Sequence, residues 1–125
     1  MKVKSKVWLE KRDKLVFGEG KSRLLKAINQ TGSINKASGK MGISFRHAWG
    51  YITAIEKRLG FKLIERTKGG KEGGGSRLTP AGRKLVGNFD QLASALNKFT
   101  DKKFKEIFGG QCRGIKNKQK QKRIR

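Results

Sequence analysis

The sequence predicts a mainly α-helical chain with small β-elements, and three observations lead there. Between Ser33 and Leu59, apolar residues recur at helical spacing in two short runs separated by a glycine turn. Residues 61–79 hold two strand-like runs around a glycine-rich loop. From Pro80 onward, leucines and phenylalanines step by four and three residues, the pattern of one long helix.

The N-terminal stretch comes first. From Lys2 to Gly18, Val3, Ser5, Val7 and Leu9 fall on one side of an extended chain. Leu15 and Phe17 resume the alternation after the polar turn Lys11-Arg12-Asp13. The spacing predicts a β-hairpin within residues 1–20, ended by Gly18 and Gly20, with Trp8 and Val16 free to cover a partner surface. A first helix, SRLLKAINQ, turns Leu24, Leu25 and Ile28 toward a core and stops at Thr31-Gly32.

Ser33 and Ser44 each stand just ahead of an apolar-periodic run, the place of a helix N-cap. Between the two helices, Met41-Gly42-Ile43 supplies a turn in which glycine takes a positive φ. In the second helix, about residues 44–59, Ala48, Ile52, Ile55 and Leu59 share one buried stripe. Arg46, Gly50, Thr53 and Lys57 fall on the opposite face with matching spacing. One greasy face and one cationic polar face suit the major groove of DNA, and the pair reads as a helix-turn-helix.

The run FKLIERT and the segment Arg77-Leu78-Thr79 have strand character and can pair across KGGKEGGGS. Two strands closed by a basic loop directly after such a helix make a wing, about residues 61–79. Arg66, Lys68, Lys71 and Arg77 surround that loop, with only Glu65 and Glu72 opposing them, which favours phosphate contact over an idle hairpin tip. The winged unit as a whole spans residues 21–79.

Thr79-Pro80 starts the long helix, threonine as N-cap and proline at the first helical position. Within residues 80–108, Leu85, Phe89, Leu92, Leu96 and Phe99 trace a coiled-coil seam. Part of it packs on its own domain. Its length exceeds what one short helix-turn-helix covers, so a homodimer through this helix is expected. Residues 109–125 carry seven Lys or Arg and no acid, and are expected to stay disordered until they meet phosphate.

Composition points the same way. Lys and Arg number 32 against 9 Asp and Glu, a formal net charge of +23, far above what solubility needs. Such an excess implies a polyanionic partner. No apolar run approaches the ~20 residues of a membrane span. MKVKSKVWLEKRDK lacks the continuous apolar stretch of a signal peptide. The single cysteine, Cys112, makes no intrachain disulfide and fits a reducing cytoplasm. The expected location is cytoplasmic, at the nucleoid.

At this point the residues carry a family resemblance. Leu24 to Val86 resembles the N-terminal DNA-binding domain of the ModE family of molybdate-responsive regulators, and more distantly LysR-type regulators. The specific points are Thr31-Gly32-Ser33-Ile34, then Ser44-Phe45-Arg46-x-Ala48-Trp49, the Gly-Gly-x-x-Gly-Gly-Gly wing and Leu78-Thr79-Pro80-x-Gly82. The resemblance implies a winged helix-turn-helix with an N-terminal β-hairpin, dimerised through its long helices and N-terminal strands. Family members follow this domain with a β-rich molybdate-binding module, whereas a basic tail stands here after Phe108. Any molybdate response is therefore expected to be lost or to reside in a separate effector-sensing protein.

Enzymatic chemistry has little to stand on. His47 is the only histidine, the acids are scattered, and the wing glycines do not follow the G-x-x-x-x-G-K-[ST] phosphate loop. One cysteine and one histidine cannot supply a zinc site. No metal or other cofactor is expected. The expected partner is double-stranded DNA, read as a pseudo-palindromic site by a transcriptional regulator. Arg46 would read a guanine edge, with Ser33, Ser44, His47, Thr53 and Lys57 on phosphates or bases and Gly50 admitting close approach. Phe45 and Trp49 lie between the faces, as core staples or as contacts to a thymine methyl. A nucleoid-associated or RNA-binding protein without sequence preference is the alternative.

Overall fold

A computed structural model describes residues 1–70 and 73–112. The elements run β1 (Trp8–Lys11), β2 (Lys14–Gly18), α1 (Glu19–Thr31), α2 (Ile34–Met41), α3 (Phe45–Leu59), β3 (Ile64–Gly70), β4 (Gly73–Leu78) and α4 (Pro80–Cys112). The molecule is mainly α with two small antiparallel hairpins, a winged helix-turn-helix with a long C-terminal helix. Two compact units are distinguished, Val7–Asp90 and a second made of Met1–Lys6 with the chain from Gln91 onward.

In the first unit, β1 and β2 join through a two-residue turn, with Arg12 at φ 54° and Asp13 at φ 64°. Positive φ at both central positions is the turn whose twist matches the strands. The strand expected from Lys2 starts only at Trp8. Because β2 ends at Gly18 and α1 begins at Glu19, no backbone remains to pair with anything earlier. The register also slips: Leu9 faces Phe17 but Glu10 faces Leu15, leaving Val16 as the extra residue of a bulge. The bulge lets both Val16 and Phe17 bury, while Leu15 is exposed. Val16 is thus a core residue and not, as its alternation suggested, a residue free for a partner. Trp8 does stay exposed, its Nε1 donating to Glu10 Oε2 at 2.8 Å.

The core gathers one face of each helix. Leu25 and Ile28 of α1, Ala37 of α2, and Ala48, Ile52 and Ile55 of α3 close over Phe17 and Leu63. Burying side chains of this size stabilises by roughly 1.5–3 kcal/mol each. Ser33 caps α2, its Oγ accepting from Lys36 N at 3.0 Å, and α2 ends at Gly42 with φ 73°. Only glycine takes that left-handed turn without a Cβ penalty, and it aims α3 away from α2. Arg58 Nη1 donates to the Leu15 carbonyl at 2.6 Å and Lys11 Nζ to the Arg58 carbonyl at 3.1 Å, which ties the hairpin to the end of α3.

Thr79 links the wing to α4. Its Oγ1 accepts from Gly82 N at 2.9 Å and donates to the Lys62 carbonyl at 2.7 Å. A Cβ on Gly82 would sit 2.5 Å from the Leu63 carbonyl oxygen, so the first turn of α4 approaches the wing more closely than any side chain allows. Phe89 is 4% exposed and meets Phe17 edge to face at 5.2 Å. That corrects its expected place in a dimer seam, because it is already covered by its own domain. Leu85 is half-buried in the same unit.

In the second unit, Ser5 Oγ donates to Asn97 Oδ1 at 2.6 Å, and Ala93, Thr100 and Phe104 are half-buried. Leu92, Leu96 and Phe99 are exposed. At the next two seam positions stand Lys103 and Glu106, an ion pair at 3.2 Å, so the apolar seam stops at Phe99. The helix does not end at Phe108 but continues through Gly109 and Gly110 to Cys112. The rest of the basic tail, 113–125, lies outside the described residues, as does Lys71 of the wing loop.

Candidate nucleic-acid interface

The geometry of α3 follows from its first residue. Ser44 Oγ accepts from His47 N at 3.0 Å and lies 3.0 Å from His47 Nδ1, so one hydroxyl caps the helix and holds the imidazole. With Ala48, Ile52 and Ile55 buried, the helix cannot rotate without exposing them. Arg46, Gly50 and Lys57 are left exposed on the other side. Thr53 is half-buried and its hydroxyl donates back to the Gly50 carbonyl at 3.2 Å. The Arg46 guanidinium makes no hydrogen bond or ion pair among the described residues, so its fork of donors is free for a ligand.

Phe45 and Trp49 are not core staples: they are 43% and 39% exposed, and their rings stack at 6.4 Å with 6° between planes. Tyr51, which the sequence reading passed over, is exposed as well, stacked on His47 at 6.4 Å with Lys21 Nζ 4.7 Å from its ring centre. Its signal was available, since residues 47 and 51 are one helical turn apart. The exposed side of α3 is therefore as aromatic as it is cationic.

Glu56 sets the wing against α3. Its Oε2 accepts from Leu63 N at 2.8 Å and Ile64 N at 3.2 Å, and Lys62 Nζ lies 3.6 Å from Oε1. In the wing, Glu65 opposes Arg77 and Arg66 opposes Ser76. Directly opposed residues share a face and neighbours along a strand do not. Arg77 thus spends its charge on Glu65 at 2.6 Å on one face. Arg66 stands on the other, its guanidinium carbon 5.4 Å from the Trp49 ring centre. Such an exposed cation–π contact is worth about 0.5–1 kcal/mol, enough to bias a long side chain toward one rotamer. The fold brings Arg66 together with Phe45 and Trp49 and separates it from Arg77. Lys68 lies within β3.

A cleft of about 160 Å³ opens between the start of α2, the start of α3 and the wing, lined by Ser33, Asn35, Phe45, Arg66 and Ser76. Ser76 N donates to the Gly32 carbonyl at 2.9 Å, which draws β4 against the turn before α2. Neither Asn35 nor Ser76 was singled out in the sequence, since the contact joins positions far apart in the chain. Among the described residues no group of three or more His, Cys, Asp or Glu gathers as a metal site, and no helix is long and apolar enough to cross a membrane.

Residues 21–83 match the family of bacterial regulatory helix-turn-helix proteins, lysR family. Among curated relatives, the chain is 37% identical to the molybdenum-pterin-binding protein MopB of Rhodobacter capsulatus, over 66% of this chain and 30% of that protein. It is also 37% identical to the DNA-binding transcriptional dual regulator ModE of Escherichia coli K12, over 74% of this chain and 36% of that protein. The chain thus spans about a third of the length of these relatives. Among solved structures, a complex of the CbnR DNA-binding domain with DNA superposes with a TM-score of 0.52 at 21% identity, over 68% of this chain and 93% of that one. At that identity the match speaks for the fold alone.

Proposed function

Because the chain belongs to the bacterial regulatory helix-turn-helix proteins of the lysR family, we propose that it is a DNA-binding transcriptional regulator acting as a dimer on a pseudo-palindromic site. The observation that carries this reading is the face α3 leaves open. Arg46 is exposed and unpaired among the described residues, with Gly50 and Lys57 beside it and a buried stripe behind it. In the major groove, Arg46 donates two hydrogen bonds to a guanine edge, the commonest specific contact of this kind. Ser44, His47, Thr53 and Lys57 fix register on phosphates or bases, and Phe45 or Trp49 touches a thymine methyl. Arg66, Lys68 and Lys71 follow the wing to the adjacent backbone. Leu92, Leu96 and Phe99 pack against a second copy of α4. The protein works as a binding protein in the cytoplasm, without a cofactor and without catalysis.

Selection of bound sites from random DNA tests the proposal. An enriched inverted repeat is expected. The charge of +23 favours a second reading, a binder of nucleic acid at large. In that case no motif is enriched, and affinity depends only on length and salt.

A further inference from the structure

We infer that the cleft between α2, α3 and the wing is a receptor for one tetrahedral oxyanion, a single backbone phosphate of bound DNA, gripped from two elements at once. The inference deepens the DNA-binding reading and rests on it for the source of the anion.

Three sets of donors converge there. The first is the start of α2. Ser33 N is taken by Thr31 Oγ1 at 3.2 Å and Lys36 N by Ser33 Oγ at 3.0 Å. The amides of Ile34 and Asn35, between them, have no partner among the described residues. Both residues line the cleft, at the positive end of a helix dipole. The Ser33 hydroxyl, which only accepts in its cap, still has its own proton to give.

Ser76 is the second, and it singles this helix start out from the others. It is 6% exposed, lines the cleft, and its hydroxyl has no hydrogen-bond partner among the described residues. A buried hydroxyl left unmade costs about 1–3 kcal/mol, so one facing a cleft calls for an acceptor that arrives with a ligand. A cross-strand opposition puts Arg66 on the same face of the wing as Ser76. This third donor is charged and stands over the Trp49 ring, and among the described residues no acid pairs with it. The stacked Phe45 and Trp49 rings wall one side, where a charged hydrogen bond is stronger than in open water.

Every donor is an N–H or O–H and the cleft has no carboxylate in its lining, so the complementary group is an anion with several acceptor oxygens. Gripping one phosphate from α2 and from β4 locks the wing's position to that of the helix-turn-helix. Trp49 is then a positioning residue for Arg66 as well as a member of the open face of α3.

The test uses the full chain and the site found by selection, with single neutral methylphosphonates placed along each strand. The wild type is expected to lose about tenfold at one position per half-site, the size of one charge-assisted hydrogen bond. In Arg66→Gln and Ser76→Ala, that position is expected to lose its sensitivity while the others keep theirs. Arg66→Gln should also lower the slope of log affinity against log salt by about 0.9. Backbone amide spectra titrated with inorganic phosphate are expected to shift at Ile34, Asn35 and Ser76, which needs neither DNA nor a variant. DNA binding with no position that couples to Arg66 or Ser76 overturns the receptor and leaves the regulator standing. Absence of any DNA binding overturns the regulator. Amide shifts at the cleft would then support a receptor for free oxyanion, and their absence would overturn the receptor too.

Discussion

Helix α3 and the part of α4 beyond Asp90 are both amphipathic, yet they are turned inside out with respect to each other. On α3 the aliphatic stripe Ala48, Ile52, Ile55 is sealed under α2 and the first hairpin, and the polar face is left open. On α4 the stripe Leu92, Leu96, Phe99 is the face left open. What a helix leaves uncovered tells which chemistry it offers. Guanidinium, ammonium and hydroxyl groups suit phosphates and base edges. Three large apolar side chains in an a/d row suit another apolar helix.

The most forceful way to break the contrast is to attack the sealed stripe. Ile52→Ala should destabilise the Val7–Asp90 unit by about 2–5 kcal/mol, read as a lower urea midpoint at unchanged slope. Leu96→Ala, with 40% of its side chain already exposed, should cost far less at protein concentrations where the chain is a monomer. Equal losses would mean that both stripes are sealed within one chain. Next in size is the open apolar stripe: Leu92→Glu with Leu96→Glu should convert a dimer to a monomer in sedimentation equilibrium. Each leucine buried between copies contributes at most roughly 1.5–3 kcal/mol. An unchanged mass would remove the second copy of the chain from the account.

The open polar face gives smaller effects. Arg46→Ala should weaken binding to the selected site by about 1–3 kcal/mol and relax preference at one base position. Lys68→Ala should weaken cognate and scrambled DNA alike, so an identical response from the two would move sequence reading off α3. Smallest is Ser44→Ala, which removes the cap of α3 and one contact to His47 and should lower stability by about 1 kcal/mol. A neutral result in thermal unfolding would show that packing, not the cap, sets where α3 begins.

Much of this arrangement was legible in the residues. Ser33 and Ser44 cap the helices they precede, Gly42 takes the left-handed turn, and Thr79-Pro80 opens α4. The stripe of α3 is buried at the positions its spacing gives. What was not legible shares one cause. Val16 counts as outward by alternation until a bulge turns it in, and Phe89 belongs to a seam by periodicity until Phe17 covers it. Ser76 looked like part of a loop until β4 drew it against Gly32.

By itself, then, the sequence determined the elements, their ends and the class of partner. Caps, turns and amphipathic spacing act over four or five residues, and a charge of +23 needs no fold to attract a polyanion. Only the tertiary structure decided which apolar faces are covered, that Arg66 stands with Trp49 while Arg77 is tied to Glu65, and that α2 and the wing share a cleft. Those outcomes depend on which distant segments meet and in what register. Periodicity shows that a face is apolar, but the burial energy comes from whatever packs on it, and that partner lies tens of residues away in the chain.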